Sequence, residues 1–254
     1  MPHYFITGVS SGIGEALTTS LATTPATSPA TTDVAVSGVA RRAERLSVLE
    51  DKLAGFTGYA CDVADGDGMA AAITSAIAAN GPVDVAILNA GMYVPQDGTM
   101  IDPTIYAQHM DVNYMGVVNA LATLVPAMRK AGGGKIVIIS SVAGWRGLPK
   151  AAAYGPTKAA LISLAESLYF DLAPENIELQ VICPGFVESE ATAVNDFDMP
   201  GLMQPQDAAA EIIAALSTTK FLVHFPKSFT RKLALLRWLP DKLYFALVGK
   251  STGH

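Results

Sequence analysis

Cysteine and histidine are scarce in this sequence of 254 residues, which has two of the former and four of the latter. The histidines are scattered, and the cysteines, Cys61 and Cys183, each end an apolar run, so their spacing fits neither a metal site nor a disulfide framework. We therefore expect two free thiols and no bound metal. Free thiols are typical of a reducing compartment, which predicts a cytoplasmic protein.

Positive charge and long apolar segments are lacking too. The 17 Lys and Arg are outnumbered by 23 Asp and Glu, and the formal net charge of −6 argues against a protein that binds nucleic acid. No run of about 18 apolar residues is present to span a bilayer. No basic region precedes a long apolar one at the N-terminus, so we expect no signal peptide. With 50% hydrophobic residues, the composition is typical of a globular protein.

Short apolar runs alternate with helical patterns over most of the chain. The runs that we interpret as strands are residues 4–6, 34–36, 57–60, 83–88, 135–140, 178–183 and 220–225. Such alternation predicts an α/β fold in which one doubly wound parallel sheet of about seven strands has helices on both faces. The length suits a single domain, which we place at residues 1–226.

The first strand runs into a glycine turn that opens a helix. Gly8, Gly12 and Gly14 give the spacing G-x-x-x-G-x-G. Glycines at such a turn let the backbone approach a pyrophosphate, which the free N–H groups and the positive dipole end of the helix can bind. The spacing differs from the G-x-G-x-x-G dinucleotide fingerprint, and a glycine turn without a ligand also explains it. Its place as the first strand-to-helix turn favours the dinucleotide site.

Two adjacent arginines, Arg41 and Arg42, follow the second strand, and no acidic residue accompanies them. In a dinucleotide fold, an acidic residue at this point binds the ribose 2′-hydroxyl of NAD, whereas arginine accepts the 2′-phosphate of NADP. We therefore predict that NADP(H) is favoured over NAD(H). The alternative, in which both arginines begin a solvated helix, stays open at this point.

A tyrosine, a lysine and a serine in the second half of the chain predict a reactive site. Tyr154 and Lys158 are four residues apart, so a helix that begins near Gly155 places them on one face. A neighbouring cation favours the phenolate and lowers the pKa of tyrosine from about 10 toward neutrality. Ser141 follows the fifth strand, at the carboxyl end where open α/β sheets bind ligands. Together they could move a proton on and off an alcohol or carbonyl oxygen, although Tyr-x-x-x-Lys alone also occurs by chance.

Three segments interrupt the regular alternation. Residues 22–32 are low in complexity and predict a surface insertion, to which we assign no function. One helical pattern continues from Pro103 to Lys130 and contains Asn113. Residues 186–205 have no clear period and mix apolar with acidic residues, which predicts a lid over a substrate.

The last part of the chain, residues 227–254, is an apolar and basic tail. It has six Lys or Arg and one acid, Asp241, so the tail carries +5 and the rest of the chain −11. Pro240 is expected to break the tail into two helical pieces. A tail of this kind packs over the substrate mouth or against another subunit, and less often lies on an anionic membrane surface. We favour the first two alternatives.

These motifs together resemble those of the short-chain dehydrogenase/reductase family, in its compact single-domain branch. The matching pieces, in the family's order and at its usual spacings, are Thr7-Gly8-x-x-x-Gly12-x-Gly14, Asp62-Val63, Asn89-Ala90-Gly91, Asn113, Ser141, Tyr154-x-x-x-Lys158 and Pro184-Gly185. They cover residues 1 to about 225. The resemblance implies a Rossmann-type fold, in which residues 1–226 form the dinucleotide-binding and catalytic domain, and assembly as a homodimer or homotetramer.

The resemblance also implies catalytic roles. Tyr154 would be the general acid/base that protonates a carbonyl or deprotonates an alcohol. Lys158 would lower the pKa of Tyr154 and hold the nicotinamide ribose, and Ser141 would hydrogen-bond the reacting oxygen. Asn113 would fix a water in a proton relay.

The cofactor contacts that the resemblance implies lie on the glycine turn, at the ends of the strands and after the sixth strand. They are Gly8, Ser10, Ser11, Gly12, Ile13, Gly14, Arg41, Arg42, Asp62, Val63, Asn89, Ala90, Gly91, Tyr154, Lys158, Pro184, Gly185, Val187 and Ser189. Ser189 stands where the family usually has threonine, a change that keeps the hydroxyl. The expected substrate pocket consists of Tyr93, Val142, Trp145, Leu148 and Phe186.

The function that follows is an NADP(H)-dependent oxidoreductase for a small, mainly apolar substrate. It would interconvert a secondary alcohol and a ketone, or an alcohol and an aldehyde, by hydride transfer. One alternative is a dinucleotide-binding sensor or scaffold without turnover, against which the intact set of Asn113, Ser141, Tyr154 and Lys158 argues. Another is a peripheral membrane enzyme of the same family that acts on lipid-like substrates.

Overall fold

The computed structural model describes residues 1–23, 34–195 and 197–252. Its strands are β1 (His3–Thr7), β2 (Ala35–Ala40), β3 (Phe56–Ala60), β4 (Val85–Leu88), β5 (Gly134–Ile139), β6 (Ile177–Pro184) and β7 (Leu222–Phe225). They form one parallel sheet in the order β3-β2-β1-β4-β5-β6-β7. The predicted seven-stranded, Rossmann-type α/β fold is therefore confirmed.

Helices cover both faces of the sheet. They are α1 (Gly12–Thr23), α2 (Ala43–Lys52), α3 (Gly66–Asn80), α4 (Pro103–Met110), α5 (Gly116–Ala131), α6 (Tyr154–Leu172), α7 (Pro205–Leu216), α8 (Lys227–Leu236) and α9 (Asp241–Thr252). Two of them begin with an aspartate cap: the Asp65 carboxylate accepts from the Gly68 N–H at 3.1 Å at the start of α3, and the Asp102 carboxylate accepts from the Thr104 N–H at 2.9 Å at the start of α4. Except for Ala22 and Thr23 in α1, the predicted insertion at residues 22–32 lies outside the described residues.

The core has two layers, one on each face of the sheet. One cluster joins Phe5 of β1 to α3, α5 and α6, and the other joins Ile6 to α1, α2 and α7. Phe5 and Ile6 are both fully buried, because successive side chains of a strand point to opposite faces. Burial of a side chain of this size contributes about 1.5–3 kcal/mol.

Strand β2 is longer than the sequence predicts. Ser37 and Gly38 look like the start of a turn, but both are buried within the strand. The Ser37 hydroxyl lies 2.9 Å from Nε2 of His3, and a Cβ on Gly38 would lie 2.6 Å from the Phe56 ring. The pairing therefore continues to Ala40, which places Arg41 and Arg42 directly after the strand.

The predicted helix over residues 103–130 is interrupted. A π-helical segment, Asp111–Met115, separates α4 from α5. Such segments often occur at functional sites. Here the wider turn contains Asn113, which is fully buried.

The tail consists of α8 and α9 with Pro240 between them, as the sequence predicts. It packs on the loop after β5: the Tyr244 hydroxyl donates to the Gly147 carbonyl at 2.7 Å, and the Arg146 guanidinium donates to the Leu239 carbonyl at 2.7 Å. Arg146 also lies 3.9 Å from the centroid of the Tyr244 ring.

Two further sequence predictions concern the thiols and the membrane. Cys61 and Cys183 are both free thiols, as expected. Among the helices that the structure describes, none has the length and apolarity that crossing a bilayer requires.

Candidate active site

The strand order reverses between β1 and β4. Strands β2 and β3 extend the sheet on one side of β1, and β4 to β7 extend it on the other. A reversal of this kind opens a crevice at the carboxyl ends of the strands, where such sheets bind ligands. The structure has a cavity of about 1100 Å³ at this edge. Its lining extends from the glycine turn and the end of β2 to α8 and α9, so the cavity can hold a dinucleotide and a small molecule.

Most of the site residues predicted from the sequence line this cavity. They are Gly8, Ser10, Ser11, Gly12, Ile13, Arg41, Arg42, Asp62, Val63, Asn89, Ala90, Gly91, Tyr93, Ser141, Val142, Leu148, Tyr154, Lys158, Pro184, Gly185, Phe186, Val187 and Ser189. Three others, Gly14, Asn113 and Trp145, are not part of the lining.

The glycine turn is packed tightly against the end of β4. Gly8 has a φ of +77°, and a Cβ there would lie 2.8 Å from the Ala90 Cα. The Thr7 hydroxyl accepts hydrogen bonds from the backbone N–H groups of Asn89 and Ala90, both at 3.0 Å. A Cβ on Gly14 would lie 2.1 Å from the Gly8 carbonyl oxygen. Gly14 therefore serves the close packing of α1 on the turn, and the Asn89 amide, which donates to the Thr7 carbonyl at 3.1 Å, joins β4 to β1.

The residues around this turn fit a nicotinamide dinucleotide. Gly12 has a φ of +57°, and a Cβ on it would lie 3.4 Å from the Cβ of Ser189. A Cβ on Gly91 would lie 3.5 Å from Nζ of Lys158. Side chains at these two glycines would fill the cradle between the turn and the opposite wall. The start of α1 supplies backbone N–H groups for a pyrophosphate.

A cluster of charged side chains lies at the outer end of the glycine turn. Arg42 donates to the Ser10 hydroxyl at 3.1 Å, and Arg45 donates to the Ser10 carbonyl at 2.9 Å. Both guanidinium groups also bind the Glu190 carboxylate, at 2.9 Å for Arg42 and 2.8 Å for Arg45. Arg41 lies apart from this cluster, 3.9 Å from Asp62 and with 72% of its side chain exposed.

Two members of this cluster are absent from the sequence prediction. Arg45 lies one helical turn after Arg41 and Arg42, so its spacing could have indicated it. Glu190 is 148 residues from Arg42, and no local pattern reveals the pair. Hydrogen bonds from Arg42, and then from Arg45, hold the pKa of Glu190 below its usual value.

At the inner end of the cavity, Ser141, Tyr154 and Lys158 lie together. The loop after β5 crosses α6 closely, since a Cβ on Gly144 would lie 2.6 Å from the backbone carbon of Lys158. The side chains of Ser141 and Tyr154 are hydrogen-bonded. Lys158 Nζ lies 5.6 Å from the centroid of the Tyr154 ring and donates to the Ile139 carbonyl at 2.9 Å. The structure therefore assembles the three side chains that the sequence groups.

The pKa values at this inner end are set mainly by burial. Desolvation raises the pKa of Tyr154 to about 12, although the hydrogen bond to Ser141 acts in the opposite direction. Desolvation also lowers the pKa of Lys158 to about 8. The sequence predicts that Lys158 lowers the pKa of Tyr154. In the structure Lys158 is not among the groups that set this pKa, and desolvation raises it. The reason is that burial penalises both charged forms. The Tyr154 phenol therefore holds its proton at neutral pH.

Asn113 and His109 hold the segment after β4. The Asn113 amide accepts from the Met92 N–H at 2.7 Å and donates to the Met92 carbonyl at 3.0 Å and to the Thr157 hydroxyl at 3.0 Å. His109, which is buried and was not predicted, accepts from the Val94 N–H at 3.1 Å. The side chain of Asn113 thus binds backbone, and its proposed place in a water relay stays a prediction.

The substrate end of the cavity is largely apolar. The Tyr93 ring packs edge-on against Tyr154, with the centroids 5.2 Å apart. Phe186 stacks on Phe229 of α8 at 5.5 Å. Trp145 lies outside the lining and packs edge-on against His224 instead, at 5.2 Å.

The tail supplies lining residues that the sequence predicts only in general terms. They are Phe229, Lys232, Leu233 and Leu236 of α8 and Val248, Ser251 and Thr252 of α9.

Comparison with known proteins gives consistent matches over the chain. A family profile described as short chain dehydrogenase matches residues 2–199. An uncharacterized oxidoreductase of Myxococcus xanthus is 32% identical over 245 residues, which are 95% of this chain and 94% of that protein. A short-chain dehydrogenase structure from Streptomyces avermitilis superposes with a TM-score of 0.80 at 26% identity, over 99% of this chain and 98% of that one.

A further solved structure has the same fold at lower identity. It is a short chain dehydrogenase of Burkholderia cenocepacia in complex with NADP, with a TM-score of 0.83 and 23% identity over 97% of each chain.

Proposed function

The chain belongs to the short-chain dehydrogenase family of oxidoreductases, and we propose that it reduces a small, mainly apolar ketone or aldehyde with NADPH, or catalyses the reverse oxidation. One observation carries the proposal. Ser141, Tyr154 and Lys158 converge at the inner end of a cavity whose outer end is lined by the glycine turn, Arg41 and Arg42. A proton donor and a dinucleotide site thus share one space.

The cofactor would supply the hydride, and the chain would supply its binding and orientation. The glycine turn and the start of α1 would hold the pyrophosphate. Arg42 and Arg45 would hold the 2′-phosphate, and Lys158 would hold the nicotinamide ribose. The NADP found in the Burkholderia cenocepacia structure supports a nicotinamide cofactor of this kind.

Tyr154 would protonate the carbonyl oxygen as reduction proceeds. Its pKa of about 12 means that the phenol carries its proton at neutral pH and can donate it during reduction. Ser141, which is hydrogen-bonded to Tyr154, would donate to the same carbonyl oxygen and orient it. Lys158, with a pKa of about 8, would be charged at neutral pH and could return a proton to Tyr154.

The apolar character of the substrate rests on the aromatic and aliphatic residues that line the cavity. Phe186 and Phe229 form a stacked pair there, and Leu233 and Leu236 continue the lining along α8. Because α8 and α9 both line the cavity, the tail would act as a wall of the substrate mouth. Exposed Leu235 and Trp238 on its outer side leave room for contact with a second subunit.

The test is to follow the absorbance of reduced nicotinamide with NADPH and with NADH against a panel of apolar ketones and aldehydes. We expect consumption of NADPH with at least one apolar ketone, and slower consumption of NADH. Faster turnover with NADH would contradict the cofactor assignment. Absence of turnover across the panel, with NADPH bound, would favour the sensor alternative.

A further inference from the structure

Glu190 lies in residues 186–205, the segment that the sequence predicts to be a lid, and its carboxylate binds the arginines at the cofactor end of the cavity. Oε2 lies 2.9 Å from Nη1 of Arg42, and Oε1 lies 2.8 Å from Nη2 of Arg45. We call Arg42 and Arg45 the arginine pair. Ser10 fixes the pair from the other side, because its hydroxyl and its carbonyl accept from the two guanidinium groups. One acid thus bridges Arg42, which lines the outer end of the cavity, and Arg45 beside it.

The position of Glu190 is set by a compact turn. The Thr192 hydroxyl donates to the Val187 carbonyl at 2.9 Å and accepts from the Ser189 N–H at 2.9 Å. Ser189 itself lies against the glycine turn, since a Cβ on Gly12 would come within 3.4 Å of it. The turn therefore presents the carboxylate to the arginine pair from above the cradle that would hold the pyrophosphate.

A carboxylate and a phosphate monoester are recognised by arginine through the same N–H groups. Nη1 of Arg42 and Nη2 of Arg45 are both occupied by Glu190. A 2′-phosphate that takes these donors must displace the carboxylate. A dinucleotide with a free 2′-hydroxyl brings no such anion and leaves the bridge intact.

We propose that Glu190 is a specificity-determining residue, whose carboxylate competes with the 2′-phosphate of NADP(H) for the arginine pair and takes its place when NAD(H) is bound. The inference rests on the proposed NADP(H) site. It follows that Glu190 reduces the ratio of the affinity for NADP(H) to the affinity for NAD(H). It also follows that binding of the 2′-phosphate releases the Glu190 carboxylate from the arginine pair.

The exposure of the three side chains limits the size of the effect. Arg42, Arg45 and Glu190 are 35%, 43% and 58% exposed. Exposed ion pairs are weak, so a phosphate of higher charge can displace the carboxylate, and loss of the carboxylate should change affinity by about three- to tenfold.

The experiment compares Glu190→Gln with the wild-type protein by titration calorimetry. The probes are adenosine 2′,5′-bisphosphate, which carries the 2′-phosphate, and 5′-AMP, which lacks it. Glu188→Gln is the matched control, because Glu188 is an exposed acid of the same segment that accepts from the Gln204 amide and not from an arginine. Both variants remove one negative charge, so a general charge effect would appear in both.

We expect Glu190→Gln to bind the bisphosphate about three- to tenfold more tightly than the wild-type protein does. Its affinity for 5′-AMP should not increase, and Glu188→Gln should behave as the wild type. Equal affinity of Glu190→Gln and wild type for the bisphosphate, or an equal gain in Glu188→Gln, would overturn the inference. If the wild type binds both probes equally while Glu190→Gln gains affinity for the bisphosphate, the competition holds and the proposed NADP(H) preference fails.

Discussion

The charged side chains at the two ends of the cavity differ in their burial and in the cause of their pKa shifts. At the tyrosine end, where Ser141, Tyr154 and Lys158 meet, the lysine is 3% exposed and burial shifts its pKa to about 8. At the arginine end, Arg42 and Glu190 are 35% and 58% exposed, and the pKa of the acid falls only because two cations bind it. Burial sets the pKa values at the tyrosine end, and exposed ion pairs set the pKa at the arginine end.

The difference suits the chemistry that we propose for each end. A proton donor must carry its proton at the working pH, and desolvation favours the protonated phenol by raising its pKa. A cofactor that must enter and leave needs contacts that can be exchanged at low cost, which exposed ion pairs provide. Changes at the tyrosine end should therefore affect rate and pH dependence, and changes at the arginine end should affect affinity for one cofactor.

The largest effect is expected from Tyr154→Phe, which removes the proton donor and keeps the ring packing against Tyr93. We expect kcat for ketone reduction to fall about 10²- to 10⁴-fold, the usual contribution of a positioned general acid. The binding of NADPH, measured by fluorescence, should be retained, because the arginine end is unchanged. A variant that reduces ketones at the wild-type rate would show that Tyr154 is not the acid.

Most of the fold could be predicted from the sequence, because most strands contain a short apolar run and most helices have apolar residues at helical spacing. The sequence predicts too short a strand β2, because Ser37 and Gly38 resemble a turn. Only contacts with distant residues, such as Phe56 packed against Gly38, show that the strand continues. The π-helical segment at Asp111–Met115 also could not be predicted from the spacing of apolar residues, because Asn113 looks like any polar residue within a helix.

The site could be predicted only where its residues lie in short motifs. Tyr154 and Lys158 are four residues apart, and the glycine turn is contiguous. Glu190 and His109 depend on contacts between separate segments, and their roles appear only after the chain is folded. The spacing of Tyr154 and Lys158 predicts a lowered pKa for the tyrosine because it shows that a cation is near. It does not show the desolvation that raises this pKa in the folded chain.

The second prediction concerns the pH dependence of stability and tests whether burial controls the tyrosine end. The pKa of Lys158 is about 8 in the folded protein, against 10.5 for an ordinary lysine. Between these values the unfolded chain binds more protons, so the contribution of Lys158 to stability rises with pH and is lost as the pH falls to about 8. Wild type should gain about 2 kcal/mol relative to Lys158→Met between about pH 8 and about pH 10.

The measurement is denaturant unfolding of both proteins across this range. The difference between them reports Lys158 together with its charge interaction with Cys183, because the half-buried Tyr154 and the buried Cys183 are present in both. A difference that does not change with pH would mean that Lys158 is not desolvated as the structure indicates.

The smallest effect is expected at the arginine end, from Arg42→Ala compared with Arg41→Ala. Arg42 belongs to the cluster with Ser10 and Glu190, whereas Arg41 is 72% exposed and lies 3.9 Å from Asp62. Loss of Arg42 should raise the Kd for NADPH about tenfold, or about 1.4 kcal/mol, and leave the Kd for NADH nearly unchanged. Loss of Arg41 should change both by less. Equal effects of the two substitutions would mean that general positive charge, and not the bridged cluster, selects the cofactor. The two ends of the cavity would then differ only in how deeply their charged groups are buried.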